Sequence, residues 1–194
     1  DNSGASGTDS AAATTVLVVI TLTGTNDSPV ISGRDVAAGD VAAPISETNA
    51  SISTTGSLIV TDPDLKDTVA AVVESVAITG GSFNAAAVPL SNSELLAMLQ
   101  LSSTATISAL PADPTAGSTF TWTFVSGPTS GGGNKAFEFL GAGQTLELTY
   151  SVKTTDNAPI RTPQESPFDT ATVKVTVTGS NDTPDVTVVD VTGV

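Results

Sequence analysis

Side chains able to do chemistry here are almost all carboxylates and amides, and they recur beside proline. The groups are Asn26-Asp27-Ser-Pro29, Asp62-Pro63-Asp64 with Asp67, Asp156-Asn157, and Asn181-Asp182-Thr-Pro184, with Glu47 alone in Pro-Ile-Ser-Glu-Thr. Oxygen donors of this kind suit a hard divalent cation, and calcium takes six to eight of them. A lone Asp-x-Asp next to proline reads better as a turn. What favours calcium is that Asn-Asp occurs twice and that several acids are brought to one place by the strand order derived below. Asp62–Asp67 is not an EF-hand, because position six is Asp67 rather than Gly and position twelve is Val73 rather than Glu.

The remaining chemistry is narrow. The chain of 194 residues has no Cys and no His. That removes disulfides, thiolate and imidazole metal sites, thiol nucleophiles and any Ser-His-Asp triad. Lys and Arg total 6 against 20 Asp and Glu, a net charge of -14. Such a balance neither neutralises a nucleic-acid backbone nor binds anionic lipid. Glu138 and Glu147 are nameable as a glycosidase pair, but each falls in an alternating pattern that reads as a solvated strand face. No cofactor loop, nucleophile elbow or paired-acid motif is present.

The organising feature is a self-match. Residues 15–29 (TVLVVITLTGTNDSP) and 170–184 (TATVKVTVTGSNDTP) align without a gap at an offset of 155, with 8 of 15 positions identical. At the same offset Asp1-Asn2 falls on Asp156-Asn157, and Asp35-Val36 on Asp190-Val191. A Thr-Val bias accounts for the strand matches but not for Gly-[Thr/Ser]-Asn-Asp-[Ser/Thr]-Pro twice in one register. The expected organisation is therefore the last strand and linker of a preceding unit at 1–27, one complete unit at 28–182, and the start of the next at 183–194. The chain opens mid-pattern, as a segment of something longer is expected to. No signal peptide is visible at its start, and the longest apolar run, Val16–Ile20, is too short to span a bilayer.

β-branched residues punctuated by 17 Gly and 11 Pro predict many strands and turns. Strands are expected at Val16–Thr23, Val30–Val36, Ser57–Thr61, Val69–Thr79, Thr104–Leu110, Thr119–Ser126, Thr145–Thr155 and Thr172–Thr178. A short helix near 92–99, with Ser93 as its cap, interrupts them. Gly127–Asn134 and Asp156–Asp169 read as loops. The fold class is all-β: an antiparallel immunoglobulin-like (cadherin-like) β-sandwich of seven or eight strands with one short helical insertion. Trp122 and Tyr150 are expected in its core. In such a sandwich the first strand leaves the near pole, and Ser57–Thr61 returns Asp62 and Asp64 to it. The Tyr150 strand brings Asp156 there, while Asn26 and Asp27 enter through the linker. Like charges so gathered repel by about 4 kcal/mol per pair at 4 Å in a medium of intermediate dielectric, and a divalent cation removes that cost. Glu47 joins either this site or the one at the far pole.

Three strings carry a resemblance: Gly56-Ser-Leu-Ile-Val-Thr-Asp62-Pro-Asp64, Leu140-Gly-Ala-Gly-Gln-Thr-Leu-Glu-Leu-Thr-Tyr150-Ser-Val, and Asp169-Thr-Ala-Thr-Val-Lys-Val-Thr-Val-Thr-Gly-Ser-Asn181-Asp182-Thr-Pro. Together they resemble VCBS-type repeats, the cadherin-like extender domains of giant RTX adhesins of Gram-negative bacteria. The resemblance covers most of 28–182 and is weakest at 80–118. It implies tandem sandwiches, export by type I secretion, and calcium at the junctions. Asp156-Asn-Ala-Pro-Ile-Arg replaces the Asp-Gly-rich loop of that family, and no RTX nonapeptide is present.

The expected function is a non-enzymatic spacer of a secreted cell-surface adhesin, stiffened by calcium so as to project a distal adhesive domain for attachment and biofilm formation. The alternative is a carbohydrate- or surface-binding module of the same adhesin. The metal ligands expected are Asn26, Asp27, Asp62, Asp64, Asp156 and Glu47, with Asn181 and Asp182 as the linker pair of the next junction. Partners are neighbouring repeats and calcium, with no nucleic acid and no membrane insertion. The isolated chain is expected to be a monomer, or to exchange its 13–27 strand with another molecule, because that strand exposes an edge.

Overall fold

Strict alternation makes the longest ladder of the molecule. In Thr145–Asp156 every second residue from Leu146 onward is buried. In Phe168–Thr178 the same holds for Ala171, Val173, Val175 and Val177. The computed structural model describes residues 15–33, 39–65, 67–102, 104–106, 117–127, 136–157 and 167–182. Among them are ten strands: β1 (Val30–Gly33), β2 (Gly39–Val41), β3 (Ile45–Ser46), β4 (Ser53–Thr61), β5 (Thr68–Gly80), β6 (Leu99–Leu101), β7 (Thr104–Thr106), β8 (Ser118–Val125), β9 (Thr145–Asp156) and β10 (Phe168–Thr178). A 3-10 turn at Ala85–Ala87 and the helix α1 (Asn92–Ala97) lie between β5 and β6.

The strands form two packed sheets, the all-β immunoglobulin-like sandwich expected. One sheet runs β1-β4-β8-β6 and the other β2-β10-β9-β5-β7, with β3 also beside β10. Pairing is antiparallel except at β2 and β3, which run parallel to β10. This departs from the purely antiparallel expectation. β2 and β3 lie beside β10 in the second sheet and run in its direction.

The core is the space between the sheets. Leu58, Val60, Phe120, Trp122 and Phe124 face Leu146, Leu148, Tyr150, Val152, Val173, Val175 and Val177, all essentially without exposure. Trp122 and Tyr150 are core residues, as expected. The Tyr150 hydroxyl donates to the Leu95 carbonyl at 2.9 Å, and burial pushes the phenol above its ordinary value. That bond pins α1 to the sandwich. Ser91, not Ser93, caps the helix. Its hydroxyl accepts from Glu94 N, and the Glu94 carboxylate accepts from Ser91 N, closing a capping box. The helix ends at Ala97, and Leu99–Leu101 pairs with β8 instead of continuing it.

Other differences follow from pairing. β5 fails to alternate because its register with β9 shifts between Val73 and Ser75, so burial moves from Val69 and Ala71 to Val76. β4 and β10 begin four residues earlier than expected, at Ser53 and Phe168, because β8 and β9 extend far enough to pair them. Val16–Thr23, expected as a strand, is not one: residues 15–29 form no ladder with any described strand. A strand exists only through its neighbours. Of the remaining expectations, 1–14, 34–38, 107–116, 128–135, 158–166 and 183–194 lie outside the described residues, including Asp35, Val36, Asp190 and Val191.

Candidate metal centres at the two poles

Three strand ends meet at the near pole. β4 ends at Thr61 and delivers Asp62, β5 begins six residues later at Thr68, and β9 ends at Asp156 opposite Val69. Pro63 fixes its own φ, and the Asp62 side chain closes a local turn, its Oδ1 accepting from Asp64 N at 2.8 Å. The linker docks on the same turn, with Asp27 N donating to Asp64 Oδ2 at 2.7 Å. Asp62 and Asp156 are buried. Asp62 is pushed up to about 6, first by burial and then by the charges of Asp156, Asp64 and Asp67, against the hydrogen bond from Asp64 N. Asp67 is also raised, by desolvation and by Asp156 and Asp64. Asp62 Oδ2 and Asn26 Oδ1 are buried and accept no hydrogen bond.

The far pole is assembled from β3, β10 and a turn. Glu47 follows β3 and is only 2 % exposed. Its Oε2 accepts from Ser180 N at 3.0 Å and Ser180 Oγ at 2.9 Å, while Oε1 is buried and accepts nothing. Carboxylate oxygens of Glu47, Glu138 and Asp182 all lie within 4.8 Å of one another. With its amide oriented so that the nitrogen faces the acids, as the hydrogen-bond network requires, Asn49 donates to Asp182 Oδ1 at 2.9 Å and Glu138 Oε2 at 3.3 Å. The linker leaves β10 through Gly179, whose backbone is wedged under the 140–141 turn. A Cβ there would lie 2.5 Å from Gly141 O and 2.6 Å from Leu140 O.

The linker pairs are alike. Asn26 Nδ2 donates to Asp27 O at 3.1 Å, and Asn181 Nδ2 to Asp182 O at 3.3 Å. Asn26-Asp27 meets the Asp62 turn, and Asn181-Asp182 meets Glu47 and Glu138. The structure thus gathers Asn26, Asp27, Asp62, Asp64, Asp67 and Asp156 at the near pole. It places Glu47, left open between the poles by the sequence, at the far one with Asn181 and Asp182.

Glu138 is the residue that sequence reading misplaced. Phe137-Glu138-Phe139 mimics an alternating strand, but Ala136–Leu140 is a turn closed by Leu140 N to Phe137 O at 2.9 Å. Phe137 and Leu140 are both buried, a spacing of three that suits a turn and not a strand.

Among the described residues, Asp169, Glu147 and Glu94 are satisfied, which sets the poles apart. Asp169 accepts from Ile31 N and Thr170 N, both at 2.8 Å. Glu147 accepts from Thr79 at 2.8 Å and pairs with Lys174 at 3.1 Å, partners that hold it below its ordinary value. Glu94 is likewise lowered, by Ser91. At the poles, by contrast, Asp62 Oδ2 and Glu47 Oε1 are buried and accept no hydrogen bond. An all-oxygen, multiply negative donor set of this kind fits a hard divalent cation.

No family model matches the chain, and no curated protein does. Among solved structures it is similar to the ASH / PapD-like domain 7 of human CEP192, at 10 % identity over 87 % of this chain and 96 % of that one, with a TM-score of 0.41. It is also similar to the CooA pilin subunit from enterotoxigenic Escherichia coli, at 12 % identity over 78 % of this chain and 98 % of that one, with a TM-score of 0.40. Among the described residues no helix is long and apolar enough to cross a membrane.

Proposed function

We propose that this chain is a non-enzymatic spacer unit of a tandem array on a secreted cell-surface adhesin, with calcium bound where units join. The observation that carries this reading is the linker Asn-Asp pair seen from both sides. Asp27 is held by Asp64 of the unit after it. Asp182 lies against Glu47 and Glu138 of the unit before it. In a tandem array one linker aspartate would have Glu47 and Glu138 on one side and Asp62, Asp64, Asp67 and Asp156 on the other. Calcium would be held by these carboxylates and supply the positive charge they lack. The tandem arrangement, 1–27 before and 183–194 after a unit at 28–182, belongs to the same reading. Surface display, type I export and a role in attachment and biofilm formation come with the resemblance to VCBS-type repeats.

The test is thermal melting of the chain in calcium, in magnesium and in chelator. A cation that binds only the folded state stabilises it by about 2.7 kcal/mol at a hundredfold excess over its Kd. For a unit of this size that raises Tm by roughly 5–10 °C. Asp62→Ala with Asp64→Ala should reduce the calcium increment. Identical melting curves in calcium and chelator would remove the metal from the proposal.

A further inference from the structure

The longest apolar run of the chain is bare. Val16, Leu17, Val18, Val19, Ile20 and Leu22 are each between 73 % and 91 % exposed. Apolar side chains at every second position of such a run are those of a strand with at least one face against a core. Its counterpart at the offset of 155 is β10, which lies inside the second sheet with Ala171, Val173, Val175 and Val177 no more than 3 % exposed.

Gly24 makes the same point. Its counterpart Gly179 is required, because any side chain there would strike Leu140 and Gly141. Around Gly24 nothing lies within 4 Å. The glycine is present without the contact that explains it.

The unit it precedes cannot host it in the manner of β10. Residues 15–23 lead through Asp27 into the near pole, so laid along that sandwich they would run toward that pole. β10 runs away from it, antiparallel to β9. Only a separate sandwich can receive the segment in the direction of β10.

We propose that Val16–Thr23 is a strand completed in a second copy of this sandwich, in the place that β10 holds here. This rests on the tandem reading above but not on calcium. In the copy, Val16, Val18, Ile20 and Leu22 turn into the core. Val18 stands opposite the residue equivalent to Tyr150, Ile20 opposite that of Leu148, and Leu22 opposite that of Leu146, as Val173, Val175 and Val177 do here. Gly24 slides under the copy's 140–141 turn. On the outer face Leu17 and Val19 replace Thr172 and Lys174, so the copy lacks the Lys174–Glu147 ion pair and carries an apolar stripe instead.

The experiment extends the complete chain by adding residues 28–155 directly ahead of Asp1, which restores the period because Asp1 corresponds to Asp156. Backbone hydrogen exchange is read in chelator, so that the outcome is independent of any metal. In the chain alone the amides of 16–22 should exchange as in an unstructured peptide. In the extended chain they should slow by at least about a hundredfold, approaching those of 171–177. Val18→Asp with Ile20→Asp should abolish that protection and leave 171–177 unchanged. If 16–22 stay unprotected in the extended chain while 171–177 are protected, the proposal is overturned, whether or not the added residues fold. A parallel chain with 168–178 in place of 13–23 shows the protection that a proven last strand confers.

Discussion

A carboxylate taken out of water keeps its charge only if something repays the lost solvation. Asp62 is fully buried among three other acids and sits at about 6. Because this folded value lies above the ordinary one of 3.8, its protonated form is the one that favours folding. The contribution is fully present below about pH 4 and is lost as pH rises through 6, amounting to about 3 kcal/mol. In chelator, Asp62→Asn should therefore gain stability relative to the parent between pH 4 and pH 7, read as a Tm difference that opens across that window. Added calcium should close the difference or reverse its sign. The linker glycines give a paired test. Gly179→Ala forces backbone apart at Leu140 and Gly141 and should cost about 1–3 kcal/mol by denaturant unfolding. Gly24→Ala, with open space around it, should change the isolated chain by less than about 0.5 kcal/mol.

Among the elements, those with long periods were legible and those with short ones were not. Thr145–Asp156 announces itself by six alternations, and Phe168–Thr178 by four. β2, β3 and β6 are three residues or fewer, too short for any period to register. They exist because a neighbouring strand offers a ladder, which is information held elsewhere in the chain. The helix was legible from its leucines, and its cap was legible too, because Ser91-Asn-Ser-Glu94 has the spacing of a capping box; Ser93, next to Glu94 but already inside the helix, was the wrong choice. The near-pole acids were legible because strand direction alone carries β4 and β9 to one end. Glu138 was hidden by two flanking phenylalanines. α1 has a single buried anchor to β9 through Tyr150, so Tyr150→Phe should lower stability by about 1 kcal/mol, read in urea unfolding as a shift in midpoint with an unchanged slope.

For the molecule as a whole, what matters is that the chain enters at one pole and leaves at the other. An array of such units is expected to be rod-like in calcium. Chelation, or Asp27→Ala combined with Asp182→Ala, should shorten its maximum dimension in small-angle scattering without unfolding the sandwiches. An unchanged dimension under both treatments would mean that the linker carboxylates do not set the stiffness. The same placement of the chain ends governs how a unit meets tension. A pull applied through the two linkers acts along the strands, on β1 at one end and β10 at the other. β10 is bound to β9 over eleven consecutive paired positions. Loaded lengthwise, those rungs are strained together and must fail together, whereas a pull across the sheet would open them one after another like a zip. Twelve residues of β9 span about 40 Å. In such an array each unit would add about that much reach and hold it under load with the ladder that also closes its core.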